Sequence, residues 1–220
     1  MISKRTFDFL AALKDNNNRE WFQANKDWYE ASKKDFESFV SSLISEINRF
    51  HPEIGPIEPK SAVFRIYRDV RFSKDKSPYK TNMGAHVVEG GKKSGNAGYY
   101  FHLEPGGSFL AGGAHMPPPD KLKALRKEIY NNIDEFLEII KDRTFHQYFG
   151  DIMDEKLVNP PKGFPPDFRY VELLKHKGYT VWKHLPDDLV PGPNLLKELG
   201  KGFRIMKPFI DFINYSFRMD

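Results

Sequence analysis

Near residue 62 the spacing of apolar residues changes. Before it, Trp21, Phe22, Trp28, Tyr29, Phe36, Phe39, Val40, Leu43, Ile44 and Ile47 recur with a period of about 3.6, one stripe of a helix. After it, Phe64, Ile66, Val70 and Phe72 alternate with Arg65, Tyr67, Asp69 and Arg71, the period of two expected of a strand. His51-Pro52 separates the regimes, because the residue before a proline is pushed out of the α region. Helices on one side and strands on the other predict an α+β fold, an antiparallel sheet with helices packed on it.

The rest of the chain extends that pattern. Ser3 can cap a helix over 4–14, and Asn17 with Glu20 reads as a capping box for the next one, giving a helical N-terminal part over 1–50. Strands are expected at 64–72, 79–88, 99–104 and 108–111, joined by short turns into a meander that fills 62–113. After Pro117-Pro118-Pro119, Asp120 can cap a helix over 120–142. Residues 144–168 are proline-rich and irregular, 168–174 suits a short helix, and 179–184 reads as a fifth strand. A C-terminal helix over 194–218 is expected to break near Gly200–Gly202 and at Pro208, which lacks the amide for its helical bond. With no repeat, no low-complexity tract and no composition shift, 1–220 reads as a single domain of about five strands with N-terminal, middle and C-terminal helices.

Charge is concentrated in the stretch FRIYRDVRFSKDKSPYKT, residues 64–81. Arg65, Arg68, Arg71, Lys74, Lys76 and Lys80 face only Asp69 and Asp75, a surplus of four that equals the net charge of the whole chain. On a strand, Arg65, Tyr67, Asp69 and Arg71 would share one face, where two guanidiniums can clamp a phosphate or carboxylate bidentately. Lys74, Lys76 and Lys80 would add point charges from the adjoining loop, and Tyr79 a ring for stacking. Arg68 falls on the apolar face, so it must reach an edge, a carboxylate or a ligand. The competing reading is an ion-pair network in which Asp69 and Asp75 neutralise the arginines; the charge surplus favours a ligand.

The same 18 residues, 64–81, resemble the signature of an uncharacterised family, a domain of unknown function widespread in microbial proteins. The resemblance extends to Asn16-Asn17 with Trp21-Phe22, to 99–107, and to Leu122 with Arg126. It implies one domain over nearly the whole chain and carries no catalytic residue with it.

Other chemistries are weaker. His102 and Glu104 share a strand face that His86 can join, with His115 close by, but the spacing matches no metal motif and no metal is expected. The turn GGKKSGNAG fails the phosphate-loop order, with His86 in place of the first glycine and Lys93 in place of Ser or Thr, and reads as a mobile hairpin. Trp21, Phe22, Trp28 and Tyr29 have the spacing of core residues. No nucleophile elbow, zinc-protease pair or dinucleotide fingerprint is present, so no cofactor is expected. The chain has no cysteine, which excludes thiol catalysis. The N-terminus lacks a signal-peptide core and no apolar run approaches the roughly 20 residues of a membrane helix, so a soluble cytoplasmic protein is expected. The functional reading is binding of an anionic, phosphate-bearing small ligand. The alternatives are an enzyme using Asp69 or Asp75 as general base, and a nucleic-acid module pairing basic residues with an exposed tryptophan. Oligomeric state stays open.

Overall fold

A computed structural model describes residues 1–218. The helices α1 (Lys4–Asp15), α2 (Arg19–Ala24) and α3 (Lys26–Asn48) come first, then a 3₁₀ turn (Pro52–Ile54) and the short α4 (Pro59–Ala62). Strands β1 (Met83–Val87), β2 (Gly98–Leu103) and β3 (Phe109–Ala114) follow. After them come α5 (Pro119–Asn131), α6 (Ile133–Lys141), α7 (Arg143–Phe149), α8 (Val171–Leu174), β4 (Tyr179–His184) and α9 (Leu195–Arg218). The sheet is an antiparallel meander in the order β1-β2-β3-β4. Among the described residues, no helix is long and apolar enough to cross a membrane.

Alternation along each strand divides the sheet into two faces. Ala85, Phe101, Leu110 and Val181 are fully or almost fully buried on the face that receives α3 and α9. There Phe36 and Phe39 of α3 meet Phe101 at 5.9 and 5.6 Å between ring centroids, and Phe203 of α9 meets Tyr99 at 5.0 Å. Burying a side chain of this size contributes about 1.5–3 kcal/mol. Tyr99 carries a hydroxyl into this core, and His51 satisfies it at 2.8 Å. Asn214 ties α9 to the start of β2 by accepting from the Ala97 amide at 2.9 Å and donating to its carbonyl at 3.1 Å.

Several boundaries depart from the sequence pattern. The sheet has four strands, because 64–72 forms no strand. Of its alternating apolar residues, Ile66 is buried but Phe72 is 96% exposed, so the alternation has no buried face to serve. The segment contributes only isolated bridges, Val63 to Ala85 and Tyr67 to Tyr79. The expected 79–88 strand shortens to β1 for the same reason: its first residues pair back onto the segment, the Lys80 amide donating to the Ile66 carbonyl at 2.8 Å. The expected 120–142 helix has Pro118 and not Asp120 at its N-cap, and divides at Asn132, whose side chain bonds Glu128 at 2.7 Å while its backbone leaves the helical region. Helix α9, in contrast, runs unbroken through Gly200–Gly202 and Pro208. Its buried face of Phe203, Met206, Phe209, Ile210 and Ile213 outweighs the one missing amide. Gly202 lets the helix close on β3, since a Cβ there would lie 2.9 Å from Leu110.

Candidate functional site

The segment 63–82 crosses the β1 edge as an irregular strap, and helix α2 anchors it. Asn17 is not the cap of α2. That role falls to Asn18, which accepts from the Trp21 amide at 2.9 Å. Asn17 instead donates to the Tyr79 carbonyl at 2.9 Å and accepts from the Tyr79 amide at 3.1 Å. Phe22 stacks on Tyr79 at 3.9 Å, and Tyr67 packs against both rings. Tyr79 is only 7% exposed, so it serves as an anchor and offers no face to a ligand. Tyr67 lies at the surface of the same cluster.

The six cations of the strap do not act as one group. Arg68 pairs with Asp75, which meets the requirement that its guanidinium find a carboxylate. Asp75 also accepts from the Ser77 hydroxyl and amide at 2.6 and 2.9 Å. Those Ser77 bonds, with Arg68 adding, hold its carboxyl far below the usual carboxylate range. Arg71 closes a bidentate pair on Asp69 at 2.9 and 2.7 Å, and this pair lowers the Asp69 carboxyl as well. Lys76 donates to the Val70 carbonyl at 3.0 Å, and Lys74 is exposed on the same loop. Arg65, Tyr67, Asp69 and Arg71 are all exposed, but no strand holds them in register, and Arg71 is spent on Asp69 inside the loop. Carboxylates so strongly held as Asp69 and Asp75 are poorly suited to accept a proton near neutral pH.

Arg65 and Lys80 remain, and the β1–β2 turn adds Lys92. The ammonium groups of Lys80 and Lys92 sit 5.5 and 4.7 Å from the centroid of the same ring, Phe64. Both lysines are half-buried, and Lys92 donates to the Val63 carbonyl. Neither they nor Arg65 has a carboxylate within ion-pair distance among the described residues. Burial lowers the pKa of Lys80, with Arg65 adding; burial lowers that of Lys92, with Lys80 adding. Lys92 has no local signal in sequence. It lies in the glycine-rich turn, and only the β1–β2 register brings it to Phe64.

This cationic group adjoins the sheet face opposite α3 and α9. Thr81 donates to Glu104 at 2.6 Å, Glu104 meets His102 Nε2 at 3.1 Å, and His102 Nδ1 meets the Tyr100 hydroxyl at 3.0 Å. Burial, with Glu104 adding, pushes the Tyr100 phenol up to about 12, so it stays a proton donor. His102 and Glu104 thus come together as expected. His86 does not join them, since it pairs with Tyr100 and its ring lies against Gly98 while Gly84 stands opposite His102, and His115 faces Asp154 at 3.5 Å. Among the described residues, no three His, Asp or Glu side chains gather as a metal-ligand set.

His86 is mostly buried, and burial with the nearby Lys92 charge lowers its pKa to about 4. An unfolded histidine titrates near 6.5. Between those values the unfolded chain binds a proton that the folded chain refuses, so stability falls as pH drops from about 6.5 to about 4, by about 3 kcal/mol in full. Urea unfolding of wild type at pH 7 and pH 4.5 is expected to show this fall; His51 and His176, also lowered by burial, add to it in the same direction, and His86→Gln is expected to remove only the His86 share. The lowered carboxyls of Asp69 and Asp75 act in a lower window, below about pH 4, and do not mimic it.

A cleft of about 870 Å³ opens elsewhere, between α6, α9 and the 3₁₀ turn. Its lining includes Glu53, Glu128, Glu135, Glu138, Asp142 and Asp211 against Lys207 and Arg218. That acidic surface repels an anion, so this cleft is not the place for one.

No curated protein and no solved structure matches this chain. A family described as a conserved hypothetical protein matches residues 5–212, almost the whole length. The chain, with its strap and its helix-backed sheet, belongs to that family, DUF2461.

Proposed function

We propose that this protein binds an anionic, phosphate-bearing small ligand through Arg65, Lys80 and Lys92. The observation that carries this reading is the pair of half-buried ammonium groups over the Phe64 ring with no carboxylate to neutralise them. Desolvated cations are costly unless paired, and a phosphate bridging them would supply the missing charge. Lys74 and Lys76 on the exposed loop would add to the field that attracts such a ligand. The protein is read as one domain acting in the cytoplasm, where phosphate metabolites are abundant.

Isothermal titration with inorganic pyrophosphate tests this. A charge-assisted hydrogen bond contributes about 1.5–3 kcal/mol, so Arg65→Ala is expected to weaken binding by roughly tenfold or more. Arg71→Ala is expected to leave it nearly unchanged, because Arg71 already belongs to Asp69. Equal losses in both variants, or no binding to wild type at millimolar pyrophosphate, would reject the assignment.

A further inference from the structure

We infer that the phosphates received at this group belong to a single-stranded nucleic acid whose bases lie along the outer sheet face, an inference that rests on the anion reading above. The sheet is open on that face and backed by helices on the other. A row of rings crosses it. Phe64 meets Tyr100 at 6.1 Å, Tyr100 meets Phe109 at 5.8 Å, and Phe109 meets Trp182 at 5.7 Å, with His102 stacked on Phe109 at 4.5 Å. The row ends in exposed rings, Phe64 at 38% and Trp182 at 40%. Register places Tyr100, Ala111 and Trp182 in line across β2, β3 and β4, and Phe109 reaches both rings beside the small Ala111, which makes the row continuous.

Charge complementarity selects the occupant. The unpaired cations stand at the β1 end and the aromatic row runs from them to β4. Every base has a π-face, and stacking on such a row beside a basic rim is how sheet surfaces hold single strands. Strands lie about 4.8 Å apart, so the row spans roughly 14 Å from β1 to β4. A mononucleotide with its phosphate on Lys80 and Lys92 would not reach Trp182, whereas a strand of several nucleotides would. A duplex has its bases stacked on one another and would leave the rings unused.

Fluorescence anisotropy with fluorescein-labelled dT8 and rU8 tests this on the full chain, with pyrophosphate titrated in parallel. Binding to wild type is expected to fall with salt at a log–log slope near −2, as three phosphate contacts on a single strand predict. Trp182→Ala is expected to weaken oligonucleotide binding roughly 5- to 150-fold while leaving pyrophosphate binding unchanged. Trp182→Leu, which keeps apolar bulk on β4, is expected to behave the same way. Lys80→Met/Lys92→Met is expected to weaken both ligands. If pyrophosphate binds but oligonucleotides bind no more tightly, or Trp182 variants match wild type, or a duplex of the same sequence binds equally well, the single-strand inference is overturned and the anion reading stands. If neither ligand binds, both fall together.

Discussion

Lys80→Met/Lys92→Met is expected to weaken pyrophosphate binding at least a hundredfold and to leave folding stability within about 2 kcal/mol of wild type. Two charge-assisted hydrogen bonds are lost, together about 3–6 kcal/mol of binding. The small stability effect follows from the charges that are absent around these lysines. Each ammonium is half-buried, and its closest charged neighbours are other cations. Methionine keeps most of the apolar stem over Phe64 and removes the repulsion. The costs are the Lys92 bond to the Val63 carbonyl, an exchange worth about 1 kcal/mol, and the two cation–π contacts with Phe64, about 0.5–1 kcal/mol each, which the relieved repulsion offsets in part. A structural ion pair behaves in the opposite way, since removing one partner of a buried pair costs about 3–5 kcal/mol. Calorimetric titration beside a urea unfolding curve reads both quantities. A loss of several kcal/mol in stability with pyrophosphate binding intact would make these lysines architecture.

Gly113→Ala is expected to destabilise the protein by about 2–6 kcal/mol, combining left-handed backbone strain with overpacking. Gly113 lies in β3 with φ +121°, and a Cβ there would come within 2.0 Å of the Tyr179 carbonyl oxygen and 3.0 Å of Thr180 Cα. Both neighbours are backbone atoms of β4, so no side-chain rotation relieves the clash. Tyr179 is fully buried, donates to the Leu173 carbonyl at 2.7 Å and packs on Phe136, which leaves β4 little room to retreat. Against a typical total of about 5–15 kcal/mol, such a loss moves the urea midpoint far down. A midpoint shift equivalent to less than about 0.5 kcal/mol would show that β4 yields at this position.

The strap shows where sequence reading stops. Its charge excess is plain in the amino-acid order, and so is the pairing that Arg68 requires. Which cations remain unpaired is not. Asp75 reaches Arg68 and Asp69 reaches Arg71 only because the loop folds on itself through the Ser77 and Arg71 amides. The period-two pattern of Phe64 and Phe72 imitates a strand, yet neither ring is buried. Aromatic residues at the surface carry the same letters as aromatic residues in a core, and periodicity alone cannot separate them.

By itself the sequence determined the α+β class, the Ser3 cap, the helical stripe of α3, the meander at β1–β3, the strand β4 and the concentration of positive charge. These follow from local periodicity and capping, which depend on residues a few positions apart. Tertiary structure decided the rest. Asn17 clamps Tyr79 from 62 positions away, Lys92 joins Lys80 at Phe64, and α9 continues through Pro208 because its buried face holds it on the sheet. Each depends on chain segments distant in sequence, where packing sets a side chain's partners and local propensity does not.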